Sequence, residues 1–229
     1  MVNEVETWVN FYQTENMAFP SEGAIRIFKG SYPRLNLDKT LYHEQKICDL
    51  GCGDGSNLVL LNQCGFELYG TEISQEIVDI SKENLACIGI EADIRIAFNQ
   101  SIPFDDEFFD YLLSWNQCYY MGDYDNFDDY VLEFARILKP EGYLVLSIPK
   151  KTCFIYKGSE MYRNGYQIIR NDPFNLRNGA ILRMFDNEQE IEDVFSKCFK
   201  NFAFASVEDD FFGYEYHWHL AVCQKKGDL

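Results

Sequence analysis

The sequence lacks any apolar run near the roughly 20 residues that a membrane-spanning helix requires, so no such span is expected in it. Basic residues are scarce, 20 Lys and Arg against 37 Asp and Glu, for a net charge of −17. Nucleic acid and anionic membranes are gripped by clustered basic side chains, so neither is an expected partner. The eight cysteines (Cys48, Cys52, Cys64, Cys87, Cys118, Cys153, Cys198 and Cys223) include no Cys-x-x-Cys pair. That scatter argues against a zinc site or a disulfide framework and for reduced, buried thiols. The opening stretch Met1-Val2-Asn3-Glu4-Val5-Glu6 has neither the basic nor the apolar region of a signal peptide, and a cytoplasmic location is the expectation. Internal repeats and low-complexity tracts are missing as well. Histidine is rare, with only His43, His217 and His219 available as near-neutral bases.

What is present begins with a loop. Ile47-Cys48-Asp49-Leu50 reads as a short apolar strand carrying an acid, Gly51-Cys52-Gly53-Asp54-Gly55 as a glycine-rich turn, and Ser56-Asn57-Leu58 as the start of a helix. Glycines let a backbone approach a ligand that side chains would block, and the free N–H groups of a helix start face that ligand. Seventeen residues beyond Gly55, Leu68-Tyr69-Gly70-Thr71 ends in Glu72. An acid at the tip of a second strand is placed to hold ribose hydroxyls. The pattern points to a nucleoside cofactor on an α/β sheet. A dinucleotide fingerprint reads G-x-G-x-x-G, whereas the glycines here fall at 51, 53 and 55, so the third arrives one residue early.

The motif Asp49-x-Gly51-x-Gly53-x-Gly55 resembles the first motif of class I S-adenosylmethionine-dependent methyltransferases. Two further segments extend the resemblance over residues 45 to 149. Ser101-Ile102-Pro103-Phe104, running on to Phe109-Asp110 and Ser114-Trp115-Asn116, is similar to the family's approach to its fourth strand. Phe134-Ala135-Arg136-Ile137-Leu138-Lys139-Pro140-Glu141-Gly142 is similar to its next helix, turn and fifth strand. The resemblance implies a Rossmann-like α/β fold: a mostly parallel seven-stranded sheet with an antiparallel C-terminal strand and helices on both faces. It also implies S-adenosyl-L-methionine as cofactor and methyl transfer by in-line displacement, with no metal required. Carried over position by position, Asp49 meets the amino end of the cofactor, Gly51, Cys52 and Gly53 supply the loop, and Glu72 with Ile73 meets the ribose. Phe98 and Asn99 lie at the adenine, and Ser114, Trp115 and Asn116 lie beside the transferred methyl. One departure stands out: relatives place an acid near the position of Phe98 and Asn99, so the acidic contact to the adenine amino group is left open. An NAD(P)-dependent oxidoreductase shares the strand, loop and ribose acid, and a non-catalytic protein could retain the fold.

A chain of 229 residues suits one domain. Residues 1–44 are expected to form a helical lid, with Trp8, Phe11 and Tyr12 as an apolar stripe over a helix at 4–15 and a second helix near 22–30. Residues 45–149 form the cofactor core, 150–185 a substrate-side insertion, and 186–229 a closing helix and hairpin. Expected core strands lie near 46–50, 67–72, 92–97, 109–114 and 143–148, and helices near 56–63, 74–86 and 126–138. Residues 150 to 183 hold seven basic residues against two acids, inverting the sign of the rest. This island motivates an anionic small-molecule acceptor held by Arg163, Arg170 or Arg177, with Tyr119 beside it, because the planar guanidinium fork matches carboxylate and phosphate. His217 and His219 alternate along the last expected strand and share a face, which makes them candidate bases. Their alternative reading is structural. A protein acceptor, and a monomer or a homodimer, stay open.

Overall fold

The structure, a computed structural model, describes residues 4–14 and 19–227. Met1 to Asn3 of the acidic opening, and the last residue of the expected first helix, lie outside them.

Ile47, Cys48 and Leu50 are fully buried, and the strand they form, β1 (Lys46–Leu50), is paired on both sides. It runs parallel to β2 (Glu67–Glu72) on one side and β4 (Phe109–Trp115) on the other. A strand covered on both faces tolerates apolar residues at every position. Beyond β2 lies β3 (Asp93–Ile96), and beyond β4 lies β6 (Leu138–Pro149), both parallel to their neighbours. The order β10-β11-β6-β4-β1-β2-β3 closes with β10 (Phe199–Phe211) and β11 (Tyr214–Lys225). Strand β11 is antiparallel to both β6 and β10. The expected seven strands are all present, in a mixed sheet with one reversed strand. Chain direction switches sides between β1 and β4, and the carboxyl ends there leave the crevice where open α/β sheets bind ligands.

The helices are α1 (Glu4–Thr14), α2 (Glu22–Lys29), α3 (Ser56–Cys64), α4 (Gln75–Ala86), α5 (Phe127–Ile137) and α6 (Glu188–Phe195). Residues 23, 24, 27 and 28 give α2 one buried face. Its Phe28 packs with Tyr42, Phe66 and Tyr111, so the second helix is bolted to the sheet. Burying a phenylalanine contributes roughly 1.5–3 kcal/mol. Helix α4 is capped by Ser74, whose hydroxyl accepts from Ile77 N–H at 3.4 Å, and α5 by Asn126. The acids at 128 and 129 open α5, where the helix dipole stabilises them.

The expected substrate-side insertion after β6 is not an irregular loop. It folds as β7 (Glu160–Arg163), β8 (Tyr166–Ile168) and β9 (Ile181–Arg183), which join β5 (Tyr120–Met121) in a second, four-stranded sheet ordered β5-β9-β8-β7. Arg163 pairs with Tyr166 across a two-residue Asn164-Gly165 connection, with Gly165 at φ +77°. Asn-Gly between strand-forming residues is the strongest short-range hairpin signal, and the sequence carried it. The insertion is therefore ordered by backbone pairing to β5, which follows the tip of β4 beside the crevice.

Candidate functional site

The loop after β1 is held from several directions. Gly51 and Gly53 adopt φ of +66° and +57°, and Gly55 at φ +89° starts α3. Side chains rarely adopt this left-handed region. A Cβ on Gly51 would lie 2.4 Å from Gln117 Cγ. Gly53 N–H donates to Glu72 Oε1 at 2.7 Å, and the Ser81 hydroxyl of α4 donates to the Gly53 carbonyl. The other oxygen of Glu72 accepts from Ile73 N–H at 2.9 Å. Each carboxylate oxygen thus keeps a second lone pair for a hydroxyl donor. Burial pushes the Glu72 carboxyl up, and the two backbone donors oppose that push.

Asp49 lies one residue before the end of β1. It is 1% exposed, and neither of its oxygens has a hydrogen-bond partner among the described residues. Burial, then the charges of Glu72 and Asp54, push its carboxyl well above the ordinary range. A buried, unpaired carboxylate is costly, and its natural complement is a cation. Two acids, one of them an orphaned carboxylate, and a glycine cradle suit a ligand that carries a sulfonium, an ammonium and a ribose. The residues present fit S-adenosylmethionine.

At the tip of β4, Ser114 Oγ donates to Gln117 Oε1 at 3.2 Å, and Gln117 Nε2 donates to Asn99 Oδ1 at 2.8 Å. Ser114, Gln117 and Asn99 therefore form one chain of hydrogen bonds against Gly51. Asn99 is buried, whereas Phe98 is 54% exposed. Gln117 was not legible as a site residue. Its only signal was its place three residues after Ser114, on the strand tip. Trp115 turns instead toward α2, where its ring would meet a Cβ on Gly23 at 2.6 Å. Asn116, at φ +58°, exchanges hydrogen bonds with the Ser147 hydroxyl. Cys52 is buried with its Sγ 3.6 Å from the Ser81 hydroxyl, so its backbone faces the loop and its thiol faces the core.

Helix α1 stands over the cradle. A Cβ on Gly53 would lie 2.6 Å from the Tyr12 hydroxyl. Burial, then Glu72 and Asp54, push the Tyr12 phenol well up. The aromatic stripe identified in the sequence thus faces the crevice.

The arginines of the insertion divide. Arg163 donates to the Asp125 carbonyl and lies over the Tyr166 ring, and Arg170 pairs with Glu160 at 2.9 Å on the surface. Both brace the small sheet on its exterior, away from the expected acceptor role. Arg177 differs. Its side chain is 14% exposed, its Nε has no partner among the described residues, and its contacts to Asp172 are long, at 3.3 and 3.5 Å. Asp172 is occupied by the Leu176 and Arg177 backbone N–H groups. Around the guanidinium stand Trp8, at 5.6 Å, and Tyr119 and Tyr120. Tyr119 is wholly buried, and its hydroxyl has no hydrogen-bond partner among the described residues.

His217 and His219 do share a face of β11, but it is the face toward α6. His217 Nδ1 lies 2.9 Å from the Thr152 hydroxyl, and His219 Nδ1 lies 3.9 Å from Glu188. His219 lines a pocket with Asn187, Glu192 and Phe204, and no described contact joins either ring to the Asp49–Glu72 cradle. Burial, with Lys150 nearby, lowers His219 to about 4. Arg26, on α2, is bound to Glu22 at 2.7 Å. Among the described residues no group of three or more His, Cys, Asp or Glu is arranged to hold a metal.

Residues 48–146 match the family described as a methyltransferase domain, spanning the cradle and the first five strands of the large sheet. That segment, 99 of the 229 residues, therefore carries a methyltransferase domain. S-adenosylmethionine is the ligand that the cradle's residues fit. The chain is 22% identical over 191 residues to an uncharacterised protein of Methanocaldococcus jannaschii, covering 75% of this chain and 69% of the relative. It is 30% identical over 118 residues to a sterol 4-C-methyltransferase of Caenorhabditis elegans, covering half of this chain but only 34% of that relative. Among solved structures, a methyltransferase from Methanosarcina mazei superposes with a TM-score of 0.66 at 20% identity, covering 86% of this chain and 98% of that one. That likeness establishes the fold.

Proposed function

We propose that the chain methylates a small, anionic molecule bound between α1 and the insertion. The observation that carries this reading is Arg177, a largely buried guanidinium that reaches Asp172 only at 3.3 and 3.5 Å, bonds Tyr120, and keeps an Nε with no partner among the described residues. Arginine stays charged at any physiological pH, and a largely buried fork whose carboxylate contacts are long and whose Nε donor is unused among the described residues favours a ligand that brings a further acceptor. Aromatic walls at Trp8, Tyr119 and Tyr120 suit a compact organic acceptor. Relatives named for a sterol and for ubiquinone biosynthesis act on small molecules, in keeping with this reading.

When bound, S-adenosylmethionine supplies an electrophilic methyl group. The chain's own task is to align and to exclude water. Asp49 holds the amino end, Glu72 the ribose hydroxyls, and the Ser114–Gln117–Asn99 chain closes the loop side. Trp115 and Asn116, turned to Gly23 and Ser147, shape the strand tip from behind. Tyr12 roofs the loop and Arg177 fixes the acceptor. His217 and His219 are reserve bases only if the insertion brings an acceptor to the α6 face. We place the protein in the cytoplasm as a monomer or homodimer, without nucleic-acid or membrane partners. That assignment is supported by its acidity and by eight free cysteines, and no described helix is long and apolar enough to cross a membrane.

The test is incubation with S-adenosylmethionine and pools of carboxylated, phosphorylated, neutral and cationic metabolites, read by mass spectrometry for a gain of one methyl group. Product confined to the anionic pools supports the reading, and product confined to the neutral or cationic pools, or to an added protein, overturns it.

A further inference from the structure

Helix α1 carries two inward contacts four residues apart, the spacing that puts side chains on one helix face. Trp8 lies over Arg177 at 5.6 Å, within the range of a cation–π contact. It also stacks on Tyr12 with ring centroids 5.9 Å apart and meets Tyr120 edge-on at 6.2 Å. Tyr12 in turn stands against Gly53. One short helix therefore touches the cofactor loop with one ring and the anion anchor with the next.

The helix is short and lightly buried. None of the side chains from 5 to 14 is fully buried, and an 11-residue helix is marginal in isolation. Its residence depends on the rings beneath it and on packing against α4. An element of this kind, with few buried contacts, sits at the low-stability end of a fold and responds to whatever binds under it.

We propose that Trp8 is a positioning residue that couples the cofactor to the acceptor. The inference rests on the reading of Arg177 as the acceptor's anchor. A cofactor in the cradle gives Tyr12 a floor, which seats α1. Seating α1 places the indole on the guanidinium, excludes water from it and fixes one rotamer of a long, loosely paired side chain. The acceptor then meets a charge already oriented and in a lower dielectric, where its attraction is stronger. By thermodynamic linkage the effect is reciprocal: the acceptor's anion must tighten the cofactor by the same factor.

The experiment measures binding of benzoate and of inorganic phosphate by calorimetry, with and without saturating S-adenosylhomocysteine. Wild-type protein is expected to bind the probe anion about fivefold or more tightly with the nucleoside present. Trp8→Ala should reduce that ratio to one, and Trp8→Phe, which keeps a ring, should restore part of it. Arg177→Ala should weaken the anion under both conditions, and titrating in the reverse order should give the same ratio. Trp8→Ala retaining the full ratio would overturn the inference. So would a wild-type ratio of one with binding that still depends on Arg177, and in both cases the anchor reading survives. Failure of wild-type protein to bind either anion, or binding untouched by Arg177→Ala, overturns the anchor and the coupling together. Circular dichroism of each variant identifies any that has failed to fold, and Trp8→Phe then carries the test.

Discussion

The Tyr12 hydroxyl stands 2.6 Å from the point where a Cβ on Gly53 would sit. The cofactor loop and the N-terminal helix are therefore fitted to each other through the missing side chain of a glycine.

Gly53→Ala tests that fit. At φ +57° an alanine costs about 1–2 kcal/mol in backbone strain, and the methyl group must also displace the phenol. Thermal unfolding should show a loss of several degrees. Cofactor affinity, measured by calorimetry, should fall at least tenfold. Normal affinity in the folded variant would show that the loop does not lie against the ligand.

Glu72→Gln removes the charge but keeps an oxygen for one of the two backbone donors, Gly53 or Ile73. Hydrogen bonds to a charged acceptor contribute roughly 1.5–3 kcal/mol each, so S-adenosylmethionine should bind about tenfold or more weakly. S-adenosylhomocysteine, which keeps the ribose, should weaken to the same degree. A loss confined to one of the two ligands would place Glu72 away from the ribose.

Asp49→Asn separates stability from binding. The wild-type carboxyl is raised, so the folded state holds its proton longer than the unfolded chain does. Stability from this group is present at low pH and lost as pH rises from the ordinary carboxylate range through the raised value. The ligand-free variant should therefore be more stable than wild type at neutral pH, by about 1–3 kcal/mol, with the advantage vanishing in acid. Cofactor affinity should move the other way. Equal denaturation midpoints at every pH would mean that Asp49 has a partner.

His219 acts with the opposite sign. Its folded value of about 4 lies below the ordinary 6.5, so the unfolded chain binds the extra proton. Its contribution is complete above pH 6.5 and is lost as pH falls toward 4, about 3 kcal/mol in all. Relative to His219→Gln, wild type should lose stability across that window in urea titrations. Parallel curves would place the ring in water.

Arg163→Ala and Arg170→Ala should leave the acceptor KM within about twofold, because an exposed pair such as Arg170 with Glu160 contributes roughly 0–1 kcal/mol. Arg177→Ala should raise that KM at least tenfold while the cofactor Kd barely moves. Equal effects from all three would return the basic island to a general electrostatic role.

The sequence by itself determined the sheet and the cofactor. Period-two and fully apolar runs mark strands, glycines mark the loop, and both are local signals that survive without a partner. Asp49, Gly51, Gly53 and Glu72 stood out as candidates for the same reason: each sits at a fixed offset from a strand end. The Asn164-Gly165 hairpin was equally local, but the pairing of β9 with β5 joins residues some sixty positions apart, and no short window contains it. The tertiary structure alone decided which arginine is buried. Arg163, Arg170 and Arg177 are alike as residues, and only the turn held by Asp172 and the arrival of Trp8 from the far end of the chain set one of them inside. The same holds for the histidines. Alternation placed them on one face, but which face met the crevice depended on the register of β11 against β6, where His219 pairs with Ile148. Register over such a distance is fixed by the packing of the whole sheet.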